Sequence, residues 1–385
     1  MQSRVVAMEE GKAPVVAAAK LSQPKPLPSR LLQILFFLVL ALGVALVSLN
    51  MLRYFRYKDV VQTINSGFLL CEEEPLGLER WIRPPAKLMH SMNETELFWR
   101  ASFVPHIKEY PFVRTPKIAF MFLTKGPLPF APLWERFFKG HDKFYSIYVH
   151  PTPSYTANYT KDSVFYERQI PSQVAEWGRM SMCEAEKRLL ANALLDISNE
   201  WFVLLSESCI PLYNMSTVYS YISQSSHSFM GSYDEPGPYG RGRYDWHMAP
   251  EVNITDWRKG SQWFEVDRKL ALDMVIDTTY YPKFRDFCRP ACYVDEHYFP
   301  TMLTIRSPNL LANRSFTYVD WSRGGPHPAT FGQHDISAPF LRRIALSKTC
   351  TYNGESTSFC FLFARKFAPS ALEPLLKLDS EVLGF

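Results

Sequence analysis

No Asp-x-Asp triplet, no block of basic residues and no internal repeat occurs in these 385 residues. Lysine and arginine number 42 against 38 aspartates and glutamates, and the resulting net charge of +4 is spread evenly, which argues against a nucleic-acid partner. Cysteine is scarce, at seven residues. The tightest pair, Cys288-x3-Cys292, has no second Cys or His pair at zinc spacing, which favours a disulfide or buried thiols over a structural zinc site. With 47% hydrophobic and 21% charged residues, the chain can bury one large domain or two smaller ones and is too apolar for wholesale disorder.

Against that ordinary background one segment stands out. Leu31 to Leu49 carries no charge and is long enough to cross a bilayer as a helix. It is longer than the apolar region of a signal peptide, starts thirty residues into the chain and is followed by no small-x-small cleavage pattern, so a retained anchor over 31–51 is expected. Flanking charge does not orient it, because Lys20, Lys25 and Arg30 are matched by Arg53, Arg56 and Lys58. Five N-glycosylation sequons do, at Asn93, Asn158, Asn214, Asn253 and Asn313, since all follow the apolar run. They favour a lumenal C-terminal part and a cytosolic N-terminus. All seven cysteines also follow the run, and an oxidising lumen would allow three disulfides and one free thiol.

The expected organisation is a cytosolic tail over 1–30, the anchor over 31–51, a proline-punctuated lumenal stem over 52–115 lying against the domain, and a catalytic domain over 116–385. Regular structure begins with Lys117 to Thr124, a nearly continuous apolar run that suits a strand buried on both faces, and Lys143 to His150 reads as a second. Apolar residues at helical spacing from Gly178 to Ser198 precede another strand at Trp201 to Leu205. Such alternation predicts an α/β fold with a mostly parallel central sheet and ligands at the strand ends. Farther on, Phe264 to Ile276 looks helical, with Glu265 and Asp267 as acids favoured at a helix start.

Transfer of a sugar from a nucleotide donor with inversion needs a carboxylate to take the acceptor's proton and positive charge to hold the leaving diphosphate. Many enzymes of that kind hold a metal with Asp-x-Asp, but the strand end where it would sit reads Ser206-Glu207-Ser208. For the carboxylate, Asp295-Glu296-His297 is the best local candidate, although an acidic pair at a helix N-terminus has the same pattern. For the diphosphate, Arg365-Lys366 sits inside the apolar Phe361 to Phe367, with Lys377 following; a snorkelling surface pair reads the same way.

Six ordered blocks remove much of that ambiguity: Leu97 to Ser102, Pro116 to Thr124, Trp201 to Ser208, Lys259 to Trp263, Asp295 to His297 and Phe361 to Phe367. Through them the chain, from about Leu97 onward, resembles the core-2/I-branching β-1,6-N-acetylglucosaminyltransferase-like proteins, glycosyltransferase family 14, especially its plant branch. The resemblance implies a GT-A-like nucleotide-sugar domain without the metal triplet, Glu296 as catalytic base and Asp295 capping or orienting its helix. It also implies Arg365, Lys366 or Lys377 at the donor diphosphate. Ser261, Gln262 and Trp263 would touch sugar, and Arg241, Arg243 and Tyr244 fall where animal members read the acceptor. The expected protein is a single-pass type II Golgi enzyme that uses a UDP-sugar and a glycan acceptor and requires no divalent metal or other cofactor. N-acetylglucosamine is the first choice of donor sugar, with UDP-glucuronic acid and UDP-xylose used by related members. A catalytically silent glycan-binding membrane protein of the same fold is the alternative.

Overall fold

Proline and glycine are absent from Val44 to Ser66, so nothing in the sequence ends the helix that the apolar run begins. In the computed structural model, which describes residues 29–67, 77–85, 87–105, 107, 109–289 and 292–385, that helix (α1) spans Ser29–Gly67. The expected tail up to residue 28 and the acidic stretch with Cys71 lie outside the described residues. Phe36–Tyr54 within α1 is long and apolar enough to cross a membrane, with a mean hydropathy of 2.1 and none of its window buried. The helix runs on past residue 52, where the stem was expected to begin.

Contacts divide the chain into two units, Met1–Pro75 and Leu76–Phe385. The second contains the sheet and most of the helices. Its strands are β1 Lys117–Leu123, β2 Tyr145–His150, β3 Asn199–Ser206, β4 Ile210–Pro211, β5 Phe229–Met230, β6 Phe264–Asp267, β7 Thr317–Val319, β8 Cys350–Tyr352, β9 Glu355–Thr357 and β10 Phe363–Arg365. Its helices are α2 Glu79–Ile82, α3 Glu94–Ala101, α4 Ala131–Phe138, α5 Met180–Leu194, α6 Met215–Ser223, α7 Arg268–Ile276, α8 Tyr281–Phe287, α9 Tyr298–Arg306, α10 Ala338–Ala345 and α11 Leu372–Leu378.

The central sheet has the order β2-β1-β3-β6-β5. β1 pairs in parallel with β2 and β3, β6 is antiparallel to β3, and β5 is antiparallel to β6, so four of the five strands point the same way. After Lys117, β1 is apolar at every position because both of its faces are covered. Ile118, Phe120 and Phe122 meet Trp134, Phe137 and Phe138 of α4 in one core, while Ala119 and Met121 meet Leu189 and Leu190 of α5 in the other. The α/β class with a mostly parallel sheet is therefore observed.

One boundary differs from expectation. Phe264–Asp267 is a strand: Phe264 and Val266 enter the α5 core and Glu265 points the other way, the period of two that pairing with β3 requires. Asp267 does start the helix, its side chain accepting from the Leu270 amide at 2.8 Å, but Glu265 is fully buried in the strand and does not serve a helix dipole. Part of the stretch expected as a stem lying against the domain is helical and packs on it. Asn93 and Glu96 form a capping box that starts α3, which buries Leu97 and Ala101 in the α5 core.

A second sheet, β4-β10-β7, follows directly from the end of β3. Its pairing of Phe363 with Pro211 and Ala364 with Ile210 brings the C-terminal segment back to the main sheet's ligand edge. Two disulfides form, Cys288–Cys292 and Cys350–Cys360. Cys183 and Cys209 are buried free thiols, so the described residues contain two pairs rather than the three that an oxidising lumen would allow.

Candidate active site

Three parallel strands end side by side, β1 at Thr124-Lys125, β2 at His150 and β3 at Ser206-Glu207-Ser208. The amide of Phe367 donates to the Ser208 carbonyl at 3.0 Å, which seats Arg365 and Lys366 on the turn after β3. The Arg365 guanidinium lies 4.0 Å from the ring centre of Trp263, itself only 4% exposed. Its Nε is buried without a hydrogen-bond partner, and no ion pair with a carboxylate compensates it among the described residues. Burial lowers its pKa, opposed only by Cys209 and Glu207. Burial likewise lowers Lys366, helped by the charges of Arg365 and Lys125. Three cations thus meet near the adjacent ends of β1 and β3, and Glu207 offsets only part of their mutual repulsion.

The second cluster lies around the turn that follows the Cys288–Cys292 disulfide. Tyr293 takes a left-handed backbone (φ 55°), Val294–Glu296 makes one 3-10 turn and α9 follows. Glu296 is half-buried. Its carboxylate accepts from Arg243 at 3.1 Å, Lys259 Nζ stands 3.9 Å away, and its carbonyl accepts from the Gly260 amide at 2.7 Å. Arg243 in turn lies 4.6 Å from the Tyr293 ring centre, and Tyr239 is within cation–π range of both Arg243 and Lys259. A carboxylate with two cations and a rim of tyrosines offers hydrogen-bonding charge and flat apolar faces together, the combination a sugar ring requires.

Asp295 does not cap α9, which has no side-chain cap. It is buried, with its pKa raised to about 6 by desolvation and the neighbouring Glu296. His297 is buried under Trp257, with ring centres 4.5 Å apart, and burial lowers its pKa to about 3. The neutral ring donates from Nδ1 to the Arg258 carbonyl at 2.7 Å. That bond pins the chain on the far side of Glu296.

Of the residues expected at the acceptor, the geometry brings Arg243 to Glu296 and leaves the others elsewhere. Arg241 makes a bidentate pair with Asp234, and the Tyr244 hydroxyl donates to the Val252 carbonyl at 2.7 Å. Ser261 accepts from the Trp263 amide, and Gln262 donates to the buried Glu186 at 2.8 Å. Trp263 lies beneath Arg365 and is almost fully covered. Lys377 stands exposed on α11, and no contact among the described residues ties it to Arg365 or Lys366. Asn93, Asn158, Asn253 and Asn313 are exposed, whereas Asn214 is half-buried at the start of α6, with its amide nitrogen on the Gly384 carbonyl. Lys125, Lys259 and Glu186 were not among the expected site residues. Lys125 had a signal, its place directly after the first strand.

The model of the core-2/I-branching enzyme family matches residues 118–345. Over 309 residues the chain is 36% identical to Glycosyltransferase BC10 of Oryza sativa subsp. japonica, covering 68% of this chain and 76% of the relative. The chain belongs to the core-2/I-branching enzyme family. It is a family of glycosyltransferases with a GT-A-like sheet, and both clusters include residues within the matched stretch, while Arg365 and Lys366 lie beyond it.

Proposed function

We propose that this glycosyltransferase moves a sugar, N-acetylglucosamine in the first instance, from a UDP-sugar to a glycan acceptor on glycoprotein or polysaccharide, with inversion and without a divalent metal. The supporting observation is Arg365: a largely desolvated guanidinium whose buried Nε has no partner and which pairs with no carboxylate among the described residues, set with Lys366 at the strand end of the proposed nucleotide-binding edge. A desolvated cation that makes no ion pair is costly, and a diphosphate would supply charge beyond that of Glu207. Glu296 would take the proton of the acceptor hydroxyl as its oxygen attacks the anomeric carbon. The bond from that carbon to the diphosphate breaks on the opposite face, and the electron pair leaves with UDP toward Arg365 and Lys366. Arg243 and Lys259 hold the Glu296 carboxylate in place before substrate arrives. The anchor helix and the sequons support a single-pass type II protein of the Golgi membrane with this domain in the lumen.

A screen of UDP-sugars in the presence of EDTA tests the reading, and UDP-glucuronic acid and UDP-xylose belong in it. Glu296→Gln is expected to lower kcat by roughly 100- to 10,000-fold while leaving UDP affinity unchanged. Arg365→Gln is expected to weaken UDP binding by roughly ten- to a hundredfold, the loss of a charged hydrogen bond. Activity that appears only with added manganese would overturn the metal-free mechanism. Wild-type protein that binds glycans but turns over no donor would establish the silent alternative.

A further inference from the structure

Between the two clusters, on α5, lies a group that the proposed chemistry does not use. Glu186 is fully buried. Its Oε1 accepts from Gln262 at 2.8 Å, while Oε2 is buried with no partner. α5 packs against the 3-10 turn, where Asp295 is also buried and its Oδ1 also lacks a partner. Burial, followed by the charge of Asp295, raises Glu186 well above the ordinary carboxylate range. No cation neutralises Glu186: Arg243 acts on Asp295, and Lys187, one residue along α5, lies over the Phe98 and Tyr281 rings. The remaining titratable groups facing the pair are Cys183, a buried thiol pushed up by both acids, and Glu296 beyond Asp295. One proton held between these two buried acids would satisfy both of the acceptor oxygens that lack donors.

We propose that Glu186 is a positioning residue that keeps its proton and donates it to Asp295, tying α5 to the turn that presents Glu296. Its other oxygen holds Gln262, next to the Trp263 plate under Arg365, so one side chain fixes both halves of the site. Loss of the proton at alkaline pH would put a second negative charge under the turn and release the tie. This inference rests on Glu296 being the base.

The test uses the full-length protein in detergent with Glu186→Gln, whose amide can donate to Asp295 and accept from Gln262, and with Glu186→Ala. Glu186→Ala is expected to lower kcat at least tenfold with little change in KM. Glu186→Gln should restore kcat toward wild type and remove the alkaline fall in kcat/KM attributable to this group. A Glu186→Gln protein as impaired as Glu186→Ala, or one with an unchanged pH profile, would overturn the proposal. An infrared difference spectrum between wild type and Glu186→Gln at neutral pH needs no substrate. A protonated carboxyl band lost on substitution supports the assignment, and its persistence refutes it. If no UDP-sugar is transferred, the functional reading fails while the infrared result still decides where the proton is.

Discussion

Glu265 is an acid in the middle of a sheet, buried on β6 and bonded by the Phe316 amide at 2.9 Å and the Thr317 hydroxyl. Burial raises its pKa to about 8 against an ordinary 4.5. The unfolded chain releases this proton near pH 4.5, whereas the folded chain keeps it until about pH 8. Its contribution is therefore fully present below pH 4.5 and declines as pH rises toward 8, by up to about 1.4 kcal/mol per pH unit for a fully titrating single proton. A glutamine presents one acceptor and one donor, as the protonated acid does. Glu265→Gln is expected to melt at a higher temperature relative to wild type at pH 8 than at pH 5. Parallel melting curves across that range would show that the carboxyl is not protonated in the fold. The same scale shows how much of a residue's role depends on its partners. The resemblance implies Trp263 and Gln262 as sugar contacts, while the fold shows what else they hold: Trp263 lies under Arg365 and Gln262 is engaged by Glu186.

At the scale of elements, the Lys259–Trp263 segment joins the two clusters, since Lys259 and the Gly260 amide reach Glu296 and Trp263 supports Arg365. Gly260 allows this approach. A Cβ there would stand 2.0 Å from the Gly231 carbonyl oxygen and 2.7 Å from Pro300 Cγ, the first of which is backbone and cannot turn away. Gly260→Ala is expected to cost roughly 1–3 kcal/mol of stability, the usual penalty of overpacking, and to lower kcat even at temperatures where the variant remains folded. A folded variant with wild-type kcat would show that the segment does not set the site. Elements with one strong internal pattern were legible: β1, whose run is apolar on both faces, and α5, whose stripe keeps helical spacing, lie within the expected ranges. β6 was not, because four residues of strand lead directly into α7 and the joint apolar spacing reads as one helix. β4 and β10 are two and three residues long and pair across some 150 positions, so no local pattern could place Arg365 beside Ser208. The family blocks gave Arg365 and Glu296 as candidates; their partners Glu207, Lys125, Lys259 and Glu186 come from different elements and meet only through the fold.

For the whole molecule, the proposed topology has a direct consequence for glycosylation. A domain in the secretory lumen meets the glycosylating machinery with every sequon, but a folded surface accommodates a glycan most readily where the asparagine is exposed. Four sequons meet that condition, at Asn93, Asn158, Asn253 and Asn313, even though Asn93 caps α3 and Asn253 Nδ2 donates to Asp256 at 3.2 Å. Asn214 does not: it is half-buried, its Oδ1 caps α6 through the Thr217 amide and its Nδ2 is held by the Gly384 carbonyl of the C-terminal segment at 3.3 Å. The full-length protein from its secretory host is therefore expected to lose four glycans on treatment with peptide N-glycosidase. Replacing Asn93, Asn158, Asn253 or Asn313 by Gln should remove one glycan each, while Asn214→Gln should leave the glycan number unchanged and weaken the α6 cap by roughly 1 kcal/mol. An intact-mass measurement reads both arms. A chain with no glycans at all would place the domain on the cytosolic side, and a glycan on Asn214 would mean that modification there precedes the closure of the C-terminal segment over α6.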